Sequence, residues 1–127
     1  MFWNGFKVYF QIKDGVISAK ELTTGKTASE KCQGCTHPRM LMGNFRDVES
    51  TFNLLIKELA KSKFLAPAPK LIIHLQDEVD AGCSEIEARA YKEAGFGAGA
   101  REVDVIYSQR PISEQSLLSG NYEAIEL

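Results

Sequence analysis

Leu71-Ile72-Ile73-His74-Leu75 is an apolar run interrupted by a single histidine. A strand with one wet face alternates apolar and polar residues, and this stretch does not. It reads as a strand covered on both faces, central in its sheet and parallel to a neighbour. Ala66-Pro67-Ala68-Pro69 stands before it. Proline lacks an N–H and clashes with the preceding turn, so any helix upstream stops here. That helix is visible: Val48, Phe52, Leu55 and Leu59 step by four, three and four. Such steps align residues along one helical face. Asn44 is placed to cap it, and the pattern runs to about Phe64.

Downstream of the run, Asp77-Glu78-Val79-Asp80-Ala81-Gly82 is an acidic loop. Ser84 and Glu87 then form the serine-x-x-glutamate pattern of a capping box. A second helix is predicted there, with Ile86, Ala90 and Ala94 along its buried stripe. Glu85 precedes Arg89 by four residues, the favourable order for an ion pair on a helix. Gly95, Gly97 and Gly99 close this helix. Val103, Val105 and Tyr107 alternate as a last strand.

At the N-terminal end, Phe6, Val8, Phe10 and Ile12 share one face, while Lys7, Tyr9 and Gln11 share the other. This period of two predicts a half-buried strand. Asp14-Gly15 follows, a hairpin signal because type I′ turns need positive φ. Val16–Leu22 is the return strand, Thr23-Thr24-Gly25 a turn, and Lys26–Lys31 a polar edge strand. Cys32–Gly43 is a connector with little periodicity. The predicted order is β-β-β-α-β-α-β, an α/β mixed sheet within residues 1–107, with residues 108–127 as a C-terminal tail containing one helical turn near Ser113–Leu118.

The chain has 127 residues, 44% of them hydrophobic and 25% charged, which is ordinary for one folded domain. Fifteen basic residues against seventeen acidic give a net charge of −2. Proteins that live on nucleic-acid phosphates carry a basic excess, so no nucleic-acid partner is expected. No apolar run reaches the roughly 20 residues of a membrane span. Phe2 and Trp3 are two aromatics near the N-terminus, too few for firm anchoring in a bilayer, and packing is the favoured role for them. The N-terminus lacks the charged start and apolar core of a signal peptide. With three cysteines and no export signal, reduced thiols in a cytoplasm are expected.

Cys32-Gln33-Gly34-Cys35 is a C-x-x-C pair with His37 two residues on. Zinc takes four thiolate or imidazole ligands, so Cys32, Cys35 and His37 are candidates, completed by Cys83 or His74 if the fold gathers them. A second paired motif is missing, which makes the pattern weak. Haem attachment requires histidine immediately after the second cysteine, where Thr36 stands. A redox pair gains from a helix N-terminus that lowers a thiol pKa, and a connector offers none. His74 reads as a core histidine with its hydrogen bonds satisfied. The acidic loop lies where ligands bind parallel sheets. Its carboxylates suit a weakly held hard cation, or, as favoured here, a solvated turn beside a helix N-terminus. The glycines at 95, 97 and 99 end a helix instead of following a strand, so they are not a dinucleotide loop.

His37-Pro38-Arg39, Met42-Gly43-Asn44-Phe45 and Ile86-Glu87-Ala88-Arg89-Ala90 carry a resemblance, together with Gly97-Ala98-Gly99-Ala100-Arg101-Glu102-Val103. In these segments the chain resembles the first subdomain of the MreB rod-shape family, the bacterial actin homologues, from about Phe6 to Tyr107. That family's helix reads V/I-E-x-R-A and runs into A-G-A-x-x-V. The resemblance implies a ribonuclease H-like fold of actin-subdomain type. It also matches Glu87 to the family's helix-borne glutamate, thought to orient the attacking water. The capping-box position gives Glu87 a competing structural role.

The departures shape the functional expectation. The family's phosphate loop reads D-x-G-T, whereas this hairpin reads Lys13-Asp14-Gly15-Val16. The carboxylates of a ribonuclease H-type nuclease are absent from the first strand, where Lys7, Tyr9 and Gln11 stand. The family's E-E-P continuation is replaced by Ser108-Gln109-Arg110-Pro111. The expectation is a non-enzymatic interaction module without catalytic residues or cofactor, binding a protein partner or itself. A thiol- or zinc-dependent binding protein and a degenerate nucleotide-binding domain are the alternatives.

Overall fold

A computed structural model describes residues 5–35, 41–61 and 66–127. Phe2, Trp3 and His37, and the stretch up to Phe64 at the end of the first helix, lie partly or wholly outside the described residues. The elements are β1 (Lys7–Lys13), β2 (Val16–Glu21), β3 (Thr27–Lys31), α1 (Phe45–Ala60), β4 (Lys70–Leu75), α2 (Glu85–Gly97), β5 (Glu102–Tyr107) and α3 (Glu114–Ser119). A single turn of 3-10 helix, Gln33–Cys35, interrupts the connector between β3 and α1.

The strands form one mixed sheet in the order β3-β2-β1-β4-β5. The β1–β2 and β2–β3 pairs are antiparallel, while β4 runs parallel to both β1 and β5. Asp14 and Gly15 turn the first hairpin with φ of 53° and 74°, the left-handed values that this dipeptide tolerates. β4 is central and buried from Leu71 to Leu75, as a run without alternation requires.

α1 and α2 lie on one face and bury the larger core. Asn44 caps α1 by accepting from the Asp47 N–H, and Val48, Phe52, Leu55, Ile56 and Leu59 turn inward. Phe52 stacks on Phe10 with ring centroids 4.6 Å apart and tilts against Tyr91 at 6.4 Å. In α2 the buried residues are Ala88, Tyr91, Ala94 and Gly95. Ile86 is not among them: it is 80% exposed. It stands two positions before Ala88, about 200° around a helix of 3.6 residues per turn, so it faces away from the sheet. The expected Ile86–Ala90–Ala94 stripe is corrected accordingly. Gly95 lets α2 approach β5, because a Cβ there would stand 2.9 Å from a Val103 methyl.

The opposite face carries a smaller core of Tyr9, Leu22, Ile72, Ile106 and Leu117. Ile112, Leu117 and Tyr122 of the C-terminal segment build its cover, while Ile125 and Leu127 pack against the larger core. Ser113 caps α3, and Leu117 is buried against the sheet. The Tyr122 hydroxyl then donates to Asp104 at 2.6 Å, and the Ile125 N–H bonds the Val105 carbonyl on the β5 edge at 2.8 Å. This cover corrects the half-buried reading of β1, since Tyr9 is buried although it sits on the polar register.

Candidate functional site

The candidate site is built at the carboxyl ends of β1 and β4, where the first hairpin, the acidic loop and the N-termini of α1 and α2 converge. β1 and β4 end side by side because Ile12 pairs with Leu75. The hairpin turn therefore meets the loop after β4. There the Asp14 N–H donates to Asp77 Oδ1 at 2.9 Å, and the Gln76 N–H donates to the Ile12 carbonyl at 3.0 Å. A backbone N–H at a glycine-containing turn is a natural anion donor. Here it already holds a carboxylate from its own chain.

Glu87 sits in the first turn of α2. Its Oε1 accepts from the Ser84 N–H at 3.2 Å and from the Ser84 hydroxyl at 3.0 Å, while the Ser84 Oγ accepts from the Glu87 N–H. This is the reciprocal capping box expected from the sequence. Its other oxygen, Oε2, accepts from the Leu41 N–H at 2.6 Å. Burial pushes the Glu87 carboxyl up, but the bonds from Leu41, Ser84 and Met42 outweigh it and hold the group below its ordinary range. The Tyr91 hydroxyl, one turn further on, donates to the Leu41 carbonyl at 2.5 Å. Glu87 and Tyr91 together clamp both polar groups of the Leu41 backbone.

Cys32 and Cys35 are both buried beneath this clamp. The Cys35 N–H bonds the Cys32 carbonyl at 3.2 Å, closing the 3-10 turn. The Gly34 carbonyl accepts from the Gly43 and Asn44 N–H groups, at 2.7 and 2.9 Å. A Cβ on Gly34 would stand 2.6 Å from both the Asn44 carbonyl oxygen and the Asp47 Cβ, so the turn is pressed against the start of α1. The Gly34 backbone between the two cysteines thus packs against the N-terminal turn of α1.

His74 lies on the other side of the sheet. Its Nε2 donates to the Ser108 carbonyl at 2.8 Å, which leaves Nδ1 to accept from the Tyr9 hydroxyl at 2.6 Å. Burial lowers its pKa, and the bond to Ser108 opposes this only in part. With the sheet between them, His74 cannot join Cys32 and Cys35 at a metal. Cys83 is half-buried, and its sulfur lies 3.5 Å from the Ser84 carbonyl. Among the described residues, no group of three or more histidine, cysteine or acidic side chains is arranged to hold a metal ion. A groove of about 650 Å³ lies elsewhere, between the end of β5 and the C-terminal segment, lined by Ser108, Pro111, Ser113 and Tyr122. None of the candidate residues borders it.

No protein-family model matches the chain. Curated relatives do. The cell shape-determining protein MreB of Pasteurella multocida (strain Pm70) is 36% identical over 66 residues, which are 52% of this chain and 18% of that protein. Over the same coverage, MreB of Haemophilus influenzae is 35% identical and MreB of Escherichia coli (strain K12) 32%.

The chain is MreB-like. It resembles part of MreB only, and the matched stretch spans 18% of the length of these relatives. The likeness relates it to the cytoskeletal, actin-like proteins, and the mixed α/β sheet agrees with an actin-like subdomain. In this MreB-like chain the glutamate matched from the family motif, Glu87, is occupied by backbone and cap. Sequence reasoning missed two participants. Tyr91 fell outside the expected α2 stripe. Asp77 was placed in a solvated loop, and its partner Asp14 lies 63 residues away, beyond any local pattern. Among the described residues no helix is long and apolar enough to cross a membrane.

Proposed function

We propose that this chain is a ribonuclease H-like subdomain of actin type that serves as a non-enzymatic interaction module of the MreB-type cytoskeleton. What supports this reading is that the two groups the resemblance would assign to nucleotide chemistry, the first hairpin turn and Glu87, are engaged within the fold. The Asp14 N–H, in the hairpin turn that stands where the family has its phosphate loop, holds the Asp77 carboxylate. Phosphoryl transfer depends on donors preorganised around the transferred group and a free residue orienting water. Glu87, the candidate for that second role, has both oxygens engaged and is fixed as the α2 cap. A carboxylate beside the turn repels an incoming phosphate. The partner is a protein of the same filament class or a second copy of the chain, with no nucleic acid, and the setting is the cytoplasm and cell shape.

Co-sedimentation with polymerised MreB-type filaments tests this reading. Saturable pelleting of the purified chain, with no turnover of Mg-ATP, is the expected result. A chain that stays in the supernatant at every filament concentration overturns the partner assignment, and steady ATP hydrolysis by the chain alone overturns the non-enzymatic one.

A further inference from the structure

We propose that Cys32 and Cys35 form a reversible intramolecular disulfide, making the turn before α1 a two-electron redox site addressed by small hydroperoxides. The geometry carries this. In a 3-10 turn, side chains at i and i+3 eclipse, and three residues rise about 6 Å. Disulfides need Cα atoms roughly 4.4–6.8 Å apart with Cβ vectors converging. Cys32 and Cys35 are i and i+3 of such a turn, closed by the bond from the Cys35 N–H to the Cys32 carbonyl. The closing bond turns both side chains towards the same side of the turn. Gly34 between them is fixed against α1, so the turn is held in this conformation before any bond forms.

The two sulfurs are unequal. Cys32 is held towards the thiolate side chiefly by the neighbouring Cys35 thiol, with the N–H groups of Cys35 and Gly34 adding to this against the opposing effect of burial. Cys35 is pushed the other way, first by its bond to Cys32 and then by burial and the nearby Asp77 charge. Cys32 is therefore the attacking sulfur and Cys35 the resolving one. The Cys32 thiolate attacks a peroxide oxygen and the O–O bond breaks. With one proton taken up, this gives a Cys32 sulfenic acid and water, or an alcohol from an organic hydroperoxide. The Cys35 sulfur then displaces the sulfenic oxygen, which leaves as water with the Cys35 proton. The S–S bond forms, both cysteines are oxidised by one electron each, and the peroxide is reduced by two. Burial of both side chains selects an oxidant this small. An external dithiol reverses the reaction by thiol–disulfide exchange.

The test treats the reduced full chain with stoichiometric hydrogen peroxide, then alkylates it under denaturing conditions and maps the peptides by mass spectrometry. The expected result is a fall from three alkylatable thiols to one, a peptide linking Cys32 to Cys35 lighter by two hydrogens, and full recovery with dithiothreitol. In Cys83→Ser the count is expected to fall from two to none with the same linked peptide. In Cys35→Ser, dimedone is expected to label Cys32. The proposal is overturned if all three thiols stay alkylatable, if the product is a dimer joined through Cys83, or if the oxidised pair carries sulfinic acid in place of the link. The wild-type map decides the disulfide even if the serine variant fails to fold.

Discussion

On one face of the sheet, α1 and α2 lay Phe52, Leu55 and Tyr91 across β1 and β4; on the other, the six-residue α3 sets Leu117 over Tyr9 and Ile72. The first face is held by rings and branched chains in wide contact. The second is a smaller apolar cluster, with Leu117, Ile112 and Tyr122 laid over Tyr9, Leu22, Ile72 and Ile106, joined by a chain of polar contacts from Tyr9 through His74 to the Ser108 carbonyl. Dispersion and apolar burial tolerate a shift of pH, whereas a neutral buried imidazole does not. The same sheet is therefore stabilised by two chemistries, and acid separates them.

Removing Phe52 strikes the stronger face. Phe52→Ala deletes the ring that stacks on Phe10 and tilts against Tyr91, and is expected to cost about 3–5 kcal/mol, read from the urea midpoint. A loss no larger than that of Leu117→Ala would break the ranking of the two faces. Leu117→Ala is expected to cost about 2 kcal/mol, the low end for a buried leucine, because a surface helix relaxes into the space. Amide exchange should then accelerate in α3 while α1 stays protected.

The polar chain gives a smaller effect with a pH signature. Tyr9→Phe removes the donor to His74 Nδ1 and should cost about 1–2 kcal/mol. His74 has a lowered pKa in the fold, chiefly through burial. The unfolded chain takes up that proton near about pH 6.5 and the folded chain resists it. Stability from this group is thus complete above the unfolded pKa and is lost as pH falls towards the folded one. Denaturation midpoints between about pH 7.5 and 5.5 should decline, and His74→Gln should flatten the decline. An unchanged slope in that variant would assign the acid sensitivity elsewhere.

Glu87→Gln should have the mildest effect, about 1 kcal/mol, from weaker bonds to Leu41 and Ser84. Its folded pKa is depressed despite burial, because those bonds favour the carboxylate. Its contribution is present above the unfolded value of about 4.3 and disappears as pH falls through the folded one. Glu87→Gln should therefore lose stability near neutrality and match the wild type in strong acid. A deficit that persisted at about pH 2 would show that the amide distorts the cap by shape and not by charge.

What the sequence made legible was local or periodic. Asp14-Gly15 identifies its own turn, Ser84 and Glu87 are three residues apart, and the α1 stripe repeats across about three turns. α3 is too short to show a period, which is why the burial of Tyr9 beneath it was not foreseen. Ile86 was misplaced because two frames of an alanine-rich helix look alike until Tyr91 fixes which side meets the sheet. Of the candidate site, the cap of Glu87 could be read from three residues, but its bond to Leu41 spans 46 and the Asp14–Asp77 contact spans 63. Such contacts are products of topology, and no window along the chain contains them.

The bond from the Ile125 N–H to the Val105 carbonyl also bears on how the protein behaves when crowded. A bare strand edge is a template onto which another chain can crystallise its own backbone. Here the β5 margin is occupied at its middle by the Ile125 backbone, while, among the described residues, the β3 margin, Thr27–Lys31, pairs with no further strand and carries polar side chains. Any sheet growth from one molecule to the next would therefore run in a single direction, outward from β3, and the glutamate and lysine at that margin act as the brake on it.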